Sequence, residues 1–274
     1  MKKSGPYRDL YIYFMDGLVR VEDEPEFEEG FLGNWVEDES SFLFFSYPAV
    51  DCVSALVTKT PGLKLVDEFH FSYDQWQGGG LEPFRVGDLL VTPPWEDQPD
   101  TPREKKILLD PGVVFGTGLH PTTKDCLRAM SLLRRWVDFG RILDIGTGTG
   151  ILALAAIRLG ADEATAVDLN PLSVKTARRN VALNGLDDHV RVVEGRAEDV
   201  LAERADLAIA NIHYEVIVQL MSHEEFLSKP WFIISGLMRT QAREVKAEME
   251  KRGIKLIREW DKDTTWYTML MKSR

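Results

Sequence analysis

Asp144-Ile145-Gly146-Thr147-Gly148-Thr149-Gly150 stands between a strand-like run, Arg141 to Ile145, and an apolar helix-like run, Ile151 to Leu159. A strand, a glycine turn and a helix in that order make the general nucleotide-binding arrangement, in which a ligand meets backbone amides and an exposed helix N-terminus. Glycines at 146, 148 and 150 let the chain turn tightly and let a ligand come close without meeting a Cβ. The following strand, Glu163 to Asp168, ends on a carboxylate 22 residues beyond Gly146, where it can accept hydrogen bonds from both ribose hydroxyls.

Working outward toward the C-terminus, the strand-then-helix rhythm continues. Pro171 to Leu183 reads as a helix, Val190 to Glu194, Ala205 to Ala210 and Trp231 to Ser235 as strands, and Ala197 to Glu203, Tyr214 to Leu227 and Thr240 to Arg252 as helical segments. Near-continuous apolar strands separated by helices predict a parallel sheet covered on both faces. Lys255 to Trp260 and Trp266 to Met271 follow with only Asp261-Lys262-Asp263-Thr264 between them, so they predict an antiparallel hairpin closing the sheet.

Toward the N-terminus the character changes at Pro93 to Lys106, whose prolines and charges read as a linker. Before it, Leu10 to Met15, Phe42 to Ser46, Lys64 to Phe71 and Asp88 to Thr92 read as short strands and Val50 to Thr58 as a short helix. The expectation is a small α+β domain over 1–75 with a sandwich-like βαβ arrangement, a connecting segment over 76–106, and a cofactor-binding catalytic domain over 107–274. The acidic run Glu22 to Glu29 is either a dock for a basic partner or a solvated loop.

Two ligands compete for the glycine loop. A dinucleotide site uses G-x-G-x-x-G to seat a pyrophosphate, whereas this chain places Gly146-Thr147-Gly148-Thr149-Gly150 after Asp144. An acidic residue there repels a pyrophosphate and suits S-adenosylmethionine, which carries an ammonium and a sulfonium; a purely structural turn is the third reading. Asn211, after the apolar strand Ala205 to Ala210, falls at the carboxyl edge of the sheet. Its amide oxygen can orient a substrate amine, or it can cap the helix beginning near His213. A second glycine-rich run, Asp110 to Thr123, also leads into a helix, which Thr122 or Thr123 would cap. His120 within it is either a packing residue or a base.

The 274 residues carry a net charge of −11 and are 44% hydrophobic, a balance that fits a globular protein with a sizeable core. That charge disfavours a phosphate-binding surface, as nucleic acid would need; it either suits a basic protein partner or simply keeps the protein in solution. Cys52 and Cys126 have no metal-ligand or disulfide spacing, so no metal is expected. No run reaches the length of a signal peptide core or a membrane span, so the expected location is the cytoplasm.

The runs Asp110 to Thr123, Asp144 to Ile151, Asp168-Leu169-Asn170-Pro171, Ala210-Asn211-Ile212 and Ser235-Gly236-Leu237 with Gln241 closely resemble the PrmA-type ribosomal protein L-eleven methyltransferase family. Trp76, Pro83 to Asp88, Pro94-Trp95 and Trp266 belong to the same likeness, and Phe115 to Thr123 is its most distinctive part. The resemblance implies a class I S-adenosylmethionine-dependent methyltransferase, α/β with a Rossmann-like seven-stranded sheet in the order 3-2-1-4-5-7-6 and a small N-terminal α+β domain that selects substrate. It implies that Thr123, Gly146, Asp168 and Asn211 contact S-adenosylmethionine while the Phe115 loop closes over it; Asp144 and Gly148 complete the expected cofactor set.

This chain departs from the family at three places. Thr147-Gly148-Thr149 stands where Cys-Gly-Ser is usual, Asn211-Ile212-His213-Tyr214 stands where Asn-Ile-Leu is usual, and residues 1–72 match loosely. The reading as a whole predicts methyl transfer to a protein amine, a lysine ε-amine or an N-terminal α-amine, of a basic ribosomal protein. Asn211 would orient the amine, and desolvation, or proton loss to water, His120 or His213, would supply its neutral form. The alternatives are another protein or a small amine as acceptor, a non-catalytic S-adenosylmethionine-binding protein, and a dehydrogenase using NAD.

Overall fold

The computed structural model describes residues 5–20, 30–96, 102 and 105–274. The acidic run 22–29 and most of the proline-rich stretch, 97–101 and 103–104, lie outside the described residues. The described residues form two compact units, one running to Glu82 with Trp95 and Glu96, the other comprising Pro83–Pro94 and the residues from Pro102 onward.

The first unit contains β1 (Asp9–Asp16), β2 (Phe31–Glu37), β3 (Ser40–Phe45), α1 (Val50–Lys59), β4 (Lys64–Ser72) and a short α2 (Tyr73–Trp76). Its strands make one antiparallel sheet in the order β2-β3-β1-β4. Since β3 and β4 both run against β1, they are parallel to each other and need a crossover, which α1 supplies. Alternate residues Tyr13 and Met15 of β1, with Leu43 and Phe45 of β3, bury themselves against Val53 and Leu56 of α1. Tyr13 closes this core by accepting a hydrogen bond at its hydroxyl from Ala49 N at 2.8 Å. The βαβ connection is therefore present as one helix on one sheet rather than as a two-sheet sandwich. A strand that composition did not single out, β2, is interrupted by Gly33 (φ 151°) and by a register shift between Phe31 and Gly33, which breaks its alternation.

The second unit begins with β5 (Phe84–Val86), β6 (Leu89–Thr92) and β7 (Lys106–Leu108), a small sheet in that order. Leu89–Thr92 thus lies in the larger unit and not in the N-terminal sheet; all four residues are buried, with Leu89 and Val91 in its main core. Then follow α3 (Pro121–Leu133), β8 (Arg141–Ile145), α4 (Ile151–Arg158), β9 (Glu163–Asp168), α5 (Pro171–Asn184), β10 (Val190–Glu194), a 3₁₀ turn Ala197–Val200, β11 (Leu207–Asn211), α6 (Tyr214–Leu220), α7 (Glu224–Leu227), β12 (Trp231–Met238), α8 (Arg239–Lys251), β13 (Lys255–Lys262) and β14 (Trp266–Lys272).

Seven strands form the main sheet in the order β10-β9-β8-β11-β12-β14-β13, parallel from β10 to β12, with β14 antiparallel to both of its neighbours. The period of two sends successive residues to opposite faces. Ile142, Ile209 and Ile233 enter the core shared with α3 and α4, while Leu143, Ala208, Ala210, Phe232 and Ile234 enter the core shared with α6 and α8. Burial on both faces explains why these strands read as continuous apolar runs. The expected helix Tyr214 to Leu227 is broken: His223 is extended (φ −100°, ψ 120°), and α7 restarts so that Phe226 packs edge-on to Phe232 at 5.2 Å. No helix among the described residues is long and apolar enough to cross a membrane.

Phe232 is fully buried at the centre of the sheet. Phe232→Ala is expected to cost about 3–5 kcal/mol by cavity formation, read as a fall in the denaturation midpoint of the larger unit; a loss below about 1 kcal/mol would contradict this packing.

Candidate cofactor and substrate site

The carboxyl ends of the parallel strands carry the groups that the sequence singles out. At the end of β8, the N–H groups of Gly146 and Thr147 both donate to Val167 O of β9, which folds the glycine turn across the neighbouring strand. Gly146, Gly148 and Gly150 have φ of 70°, 56° and 84°, the left-handed region that L side chains rarely adopt. Space forbids a side chain as well: a Cβ on Gly146 would lie 2.2 Å from Ile212 Cγ2, and one on Gly148 would lie 2.7 Å from Phe115 O.

Asp144 lies beneath this turn. Its Oδ2 accepts from Thr147 Oγ1 at 2.6 Å and from Ala153 N, in the first turn of α4, at 3.2 Å. One carboxylate oxygen therefore ties strand, turn and helix together. Its Oδ1 is buried with no hydrogen-bond partner in the structure. Burial, with a smaller contribution from the nearby Asp168 charge, pushes the Asp144 carboxyl up to about 6.

Asp168 ends β9 with both oxygens engaged by backbone: Oδ2 accepts from Gly148 N at 2.9 Å and Oδ1 from Asn170 N at 3.0 Å. Burial raises its pKa, and these bonds act against that rise. The Ser173 side chain adds a third hydrogen bond to this carboxylate, which has acceptor sites for about four. The helix beyond it, α5, is capped by Asn170, whose Oδ1 accepts from Leu172 N.

Asn211 is the last residue of β11 and is not the cap of α6; that position is held by His213, which makes no side-chain cap bond. Instead the Asn211 amide donates to the buried Thr123 Oγ1 across a long 3.4 Å. Beside it, a bulge in β12 brings the backbone close at Gly236, where a Cβ would lie 2.7 Å from Ile212 O and 3.4 Å from Asn211 Oδ1.

The helix α3 is capped by His120 and by neither Thr122 nor Thr123: His120 Nδ1 accepts from Thr122 N and lies 2.7 Å from Thr122 Oγ1. Pro121 at the first helical position fits this cap, and both threonines are consequently turned into the buried side of the helix. The His120 ring is wedged edge-on between Phe115, at 5.5 Å, and Trp266, at 5.1 Å, and burial lowers its pKa, so it is neutral near pH 7. Phe115 itself is 54% exposed.

The two glycine-rich loops meet directly. Thr149 Oγ1 donates to Gly116 O at 2.8 Å, and Asn180 of α5 donates from its amide to both Thr149 O and Asp110 O. Asn180 does not stand out in the sequence and Thr149 does so only as part of the glycine loop, because a helical asparagine and a loop threonine carry no local mark of the distant carbonyls they serve. The arrangement combines a turn whose three glycines leave its backbone bare, two carboxylates at adjacent strand ends, and a rim formed by Asn211, Thr123 and an aromatic cluster. It can hold a ligand that presents donors to the Asp168 carboxylate and carries a positive charge near the buried Asp144 carboxyl, which fits S-adenosylmethionine.

Raising the Asp144 pKa above its unfolded value means that the folded state holds the proton more tightly. Its contribution to stability is fully present below about pH 4 and is lost as pH rises through about 6. Thermal melts of the wild type and Asp144→Asn between pH 4 and pH 8 are expected to show the wild type losing stability relative to the variant across this window; parallel curves would contradict the buried, partnerless carboxyl.

Residues 64–274 match the family model described as ribosomal protein L11 methyltransferase (PrmA). A relative named ribosomal protein L11 methyltransferase in Brevibacillus brevis is 37% identical over 197 residues, 70% of this chain and 62% of the relative. One of the same name in Exiguobacterium sibiricum is 39% identical over 216 residues, 78% of this chain and 67% of the relative. A crystal structure of a ribosomal protein L11 methylase from Lactobacillus delbrueckii subsp. bulgaricus superposes with a TM-score of 0.59 at 28% identity, covering 70% of this chain and all of that one. The chain spans about six tenths of the length of several curated relatives, from 58% to 62% for four of them. The family match leaves out residues 1–63, which hold β1, β2, β3 and α1.

Proposed function

Because this chain belongs to the ribosomal protein L11 methyltransferase (PrmA) family, we propose that it transfers methyl groups from S-adenosylmethionine to an amine of a protein, an L11-type ribosomal protein foremost. The observation that carries the cofactor reading is the buried, partnerless Asp144 Oδ1 under a turn in which Gly146 and Gly148 have no room for a side chain. A ligand cation near this buried carboxyl would favour its ionised form, which a pyrophosphate would not, and this separates the reading from a dinucleotide site. Asp168, already oriented by Gly148 N and Asn170 N, accepts the ribose hydroxyls; Gly146 and Gly148 offer close backbone approach, and Thr123 and Phe115 complete the wall.

S-adenosylmethionine, when bound, supplies an electrophilic methyl on a sulfonium. The protein's part is alignment and desolvation of the amine. Asn211 Oδ1 accepts a hydrogen bond from the amine N–H and directs its lone pair along the line of displacement. A lysine amine has a pKa near 10.4 in water, and burial against Phe115 and Trp266 lowers it toward the neutral, nucleophilic form. His120 accepts at Nδ1 from Thr122 N, so in its neutral state the proton sits on Nε2. It serves here as part of the aromatic wall, and the amine proton leaves to water.

A protein acceptor is favoured over a small amine by the first unit. Its sheet bears a row of aromatics on the face opposite α1, with Phe14 stacked on Phe42 at 4.8 Å and Phe44 and Phe71 against Trp76; Phe69 and Trp76 are more than a third exposed. We assign substrate recognition to residues 1–75 and catalysis to 107–274. The net charge of −11 suits a basic protein rather than nucleic acid, and the cytoplasm is where a ribosomal protein would be met. Since residues 1–63 fall outside the family match, a second reading keeps the chemistry and changes the acceptor protein.

The test is incubation with methyl-labelled S-adenosylmethionine and a ribosomal protein fraction, followed by mass spectrometry. Label is expected on an L11-type protein; label on a different protein selects the second reading, and no labelled protein at all overturns the enzyme. Asn211→Ala is expected to lower kcat about a hundredfold by loss of alignment, whereas Asp168→Ala is expected to act through the affinity for S-adenosylmethionine.

A further inference from the structure

We infer that Asn180, which lies in the middle of α5, is a positioning residue for the cofactor pocket: its side-chain amide holds the two glycine-rich loops in a single relative placement. The inference rests on the proposed S-adenosylmethionine site and concerns what shapes it.

Asn180 is fully buried. Its Oδ1 accepts from Asp110 N at 2.9 Å, and its Nδ2 donates to Asp110 O and to Thr149 O, both at 2.9 Å. Both amide hydrogens and the carbonyl are thus used, and they reach segments 70 and 31 residues away in sequence. Asp110 begins the loop that carries Phe115, and Thr149 belongs to the loop that follows Asp144. A second link runs in parallel, from Thr149 Oγ1 to Gly116 O at 2.8 Å. The Asp110 carboxylate is itself buried: Oδ1 accepts from Gly112 N at 3.0 Å, and Oδ2 forms an ion pair with Arg179, the neighbour of Asn180 on α5.

These bonds leave the first loop little freedom. Phe115 O approaches so near to Gly148 that a Cβ there would sit 2.7 Å away, and a Cβ on Gly116 would sit 2.8 Å from Thr149 Oγ1. Contacts this close persist only where something holds the backbones together, and buried amide bonds to carbonyls do so because leaving either carbonyl unpaired is costly. Asn180 touches neither carboxylate that faces the proposed ligand. Its effect on binding passes through Thr149 and Asp110.

Asn184, one turn along the same helix, provides the internal comparison. It makes the same kind of clasp, with Oδ1 accepting from Leu108 N and Nδ2 donating to Leu108 O and Asn180 O, but it anchors the end of β7 and not the two loops. Asn180→Asp and Asn184→Asp are isosteric, remove the same two donors and set a carboxylate against carbonyl oxygens. Both are expected to lower the denaturation midpoint to a similar extent.

The experiment measures S-adenosylmethionine and S-adenosylhomocysteine binding by calorimetry, together with amide hydrogen exchange, for the wild type and both variants of the full chain well below their denaturation midpoints. Asn180→Asp is expected to raise the Kd about tenfold or more, an effect of the size of a lost buried hydrogen bond, and to speed exchange across residues 110–116, while Asn184→Asp binds as the wild type does. In turnover, the KM for S-adenosylmethionine should rise with kcat at saturation nearly unchanged. If Asn180→Asp does not fold, Thr149→Val, which removes only the Gly116 link, is read by the same criteria. Equal affinity in the wild type and in the Asn180→Asp or Thr149→Val variant, or equal weakening by Asn180→Asp and Asn184→Asp, overturns the inference while leaving the proposed function standing. A wild type that binds neither ligand removes the proposed function, and this inference with it.

Discussion

The buried carboxylate of Asp144 is the constraint around which the larger unit is arranged. Through one oxygen it holds Thr147 of the turn and Ala153 of α4, so the end of β8, the glycine loop and the helix N-terminus are tied together. The other oxygen has no partner, and burial pushes the group toward its neutral form. A buried carboxyl left half satisfied disfavours the ligand-free state, and a cation that ionises it relieves that penalty. The missing partner at one oxygen and the raised pKa of Asp144 have the same physical source, its burial.

From this point the architecture follows outward. The turn can lie against Ile212 and Phe115 O only because Gly146 and Gly148 carry no side chain, and the approach of Phe115 O brings the second loop over the first. That second loop leads into α3 through the His120 cap, which turns Thr123 inward to meet Asn211 at the end of β11. Trp266, from the antiparallel β14, backs the His120 ring from the other side. The terminal hairpin therefore finishes the sheet and also supplies one wall of the rim, which accounts for an aromatic residue at the start of its last strand.

The first unit obeys a simpler economy of burial. One helix on one antiparallel sheet buries Tyr13, Met15, Leu43 and Phe45 and leaves aromatic side chains on the opposite face. β4 is an edge strand whose residues are almost all exposed, with Asp67 and Glu68 beside Phe69. Charged side chains on an exposed edge are a common guard against unwanted strand pairing. The family likeness covers only the last part of this unit.

How much could be read from the chain alone depended on the reach of each interaction. Strand and helix order from Arg141 onward, the glycine turn, the place of Asp168 and the terminal hairpin were determined by the sequence itself, because each rests on a period or spacing contained within about twenty residues. The broken helix after Leu220, the glycine-disrupted β2, the membership of Leu89–Thr92 in the larger unit, and His120 as the cap in place of Thr122 or Thr123 were decided by tertiary structure. In each case a local preference was overruled by burial or by a partner elsewhere. Asn180 is the clearest instance: as letters it is one more polar residue in a helix, and only the fold brings carbonyls from two loops, 70 and 31 residues away, within reach of its amide. A buried polar group is defined by partners that the chain must travel to meet, and no local pattern records where they are.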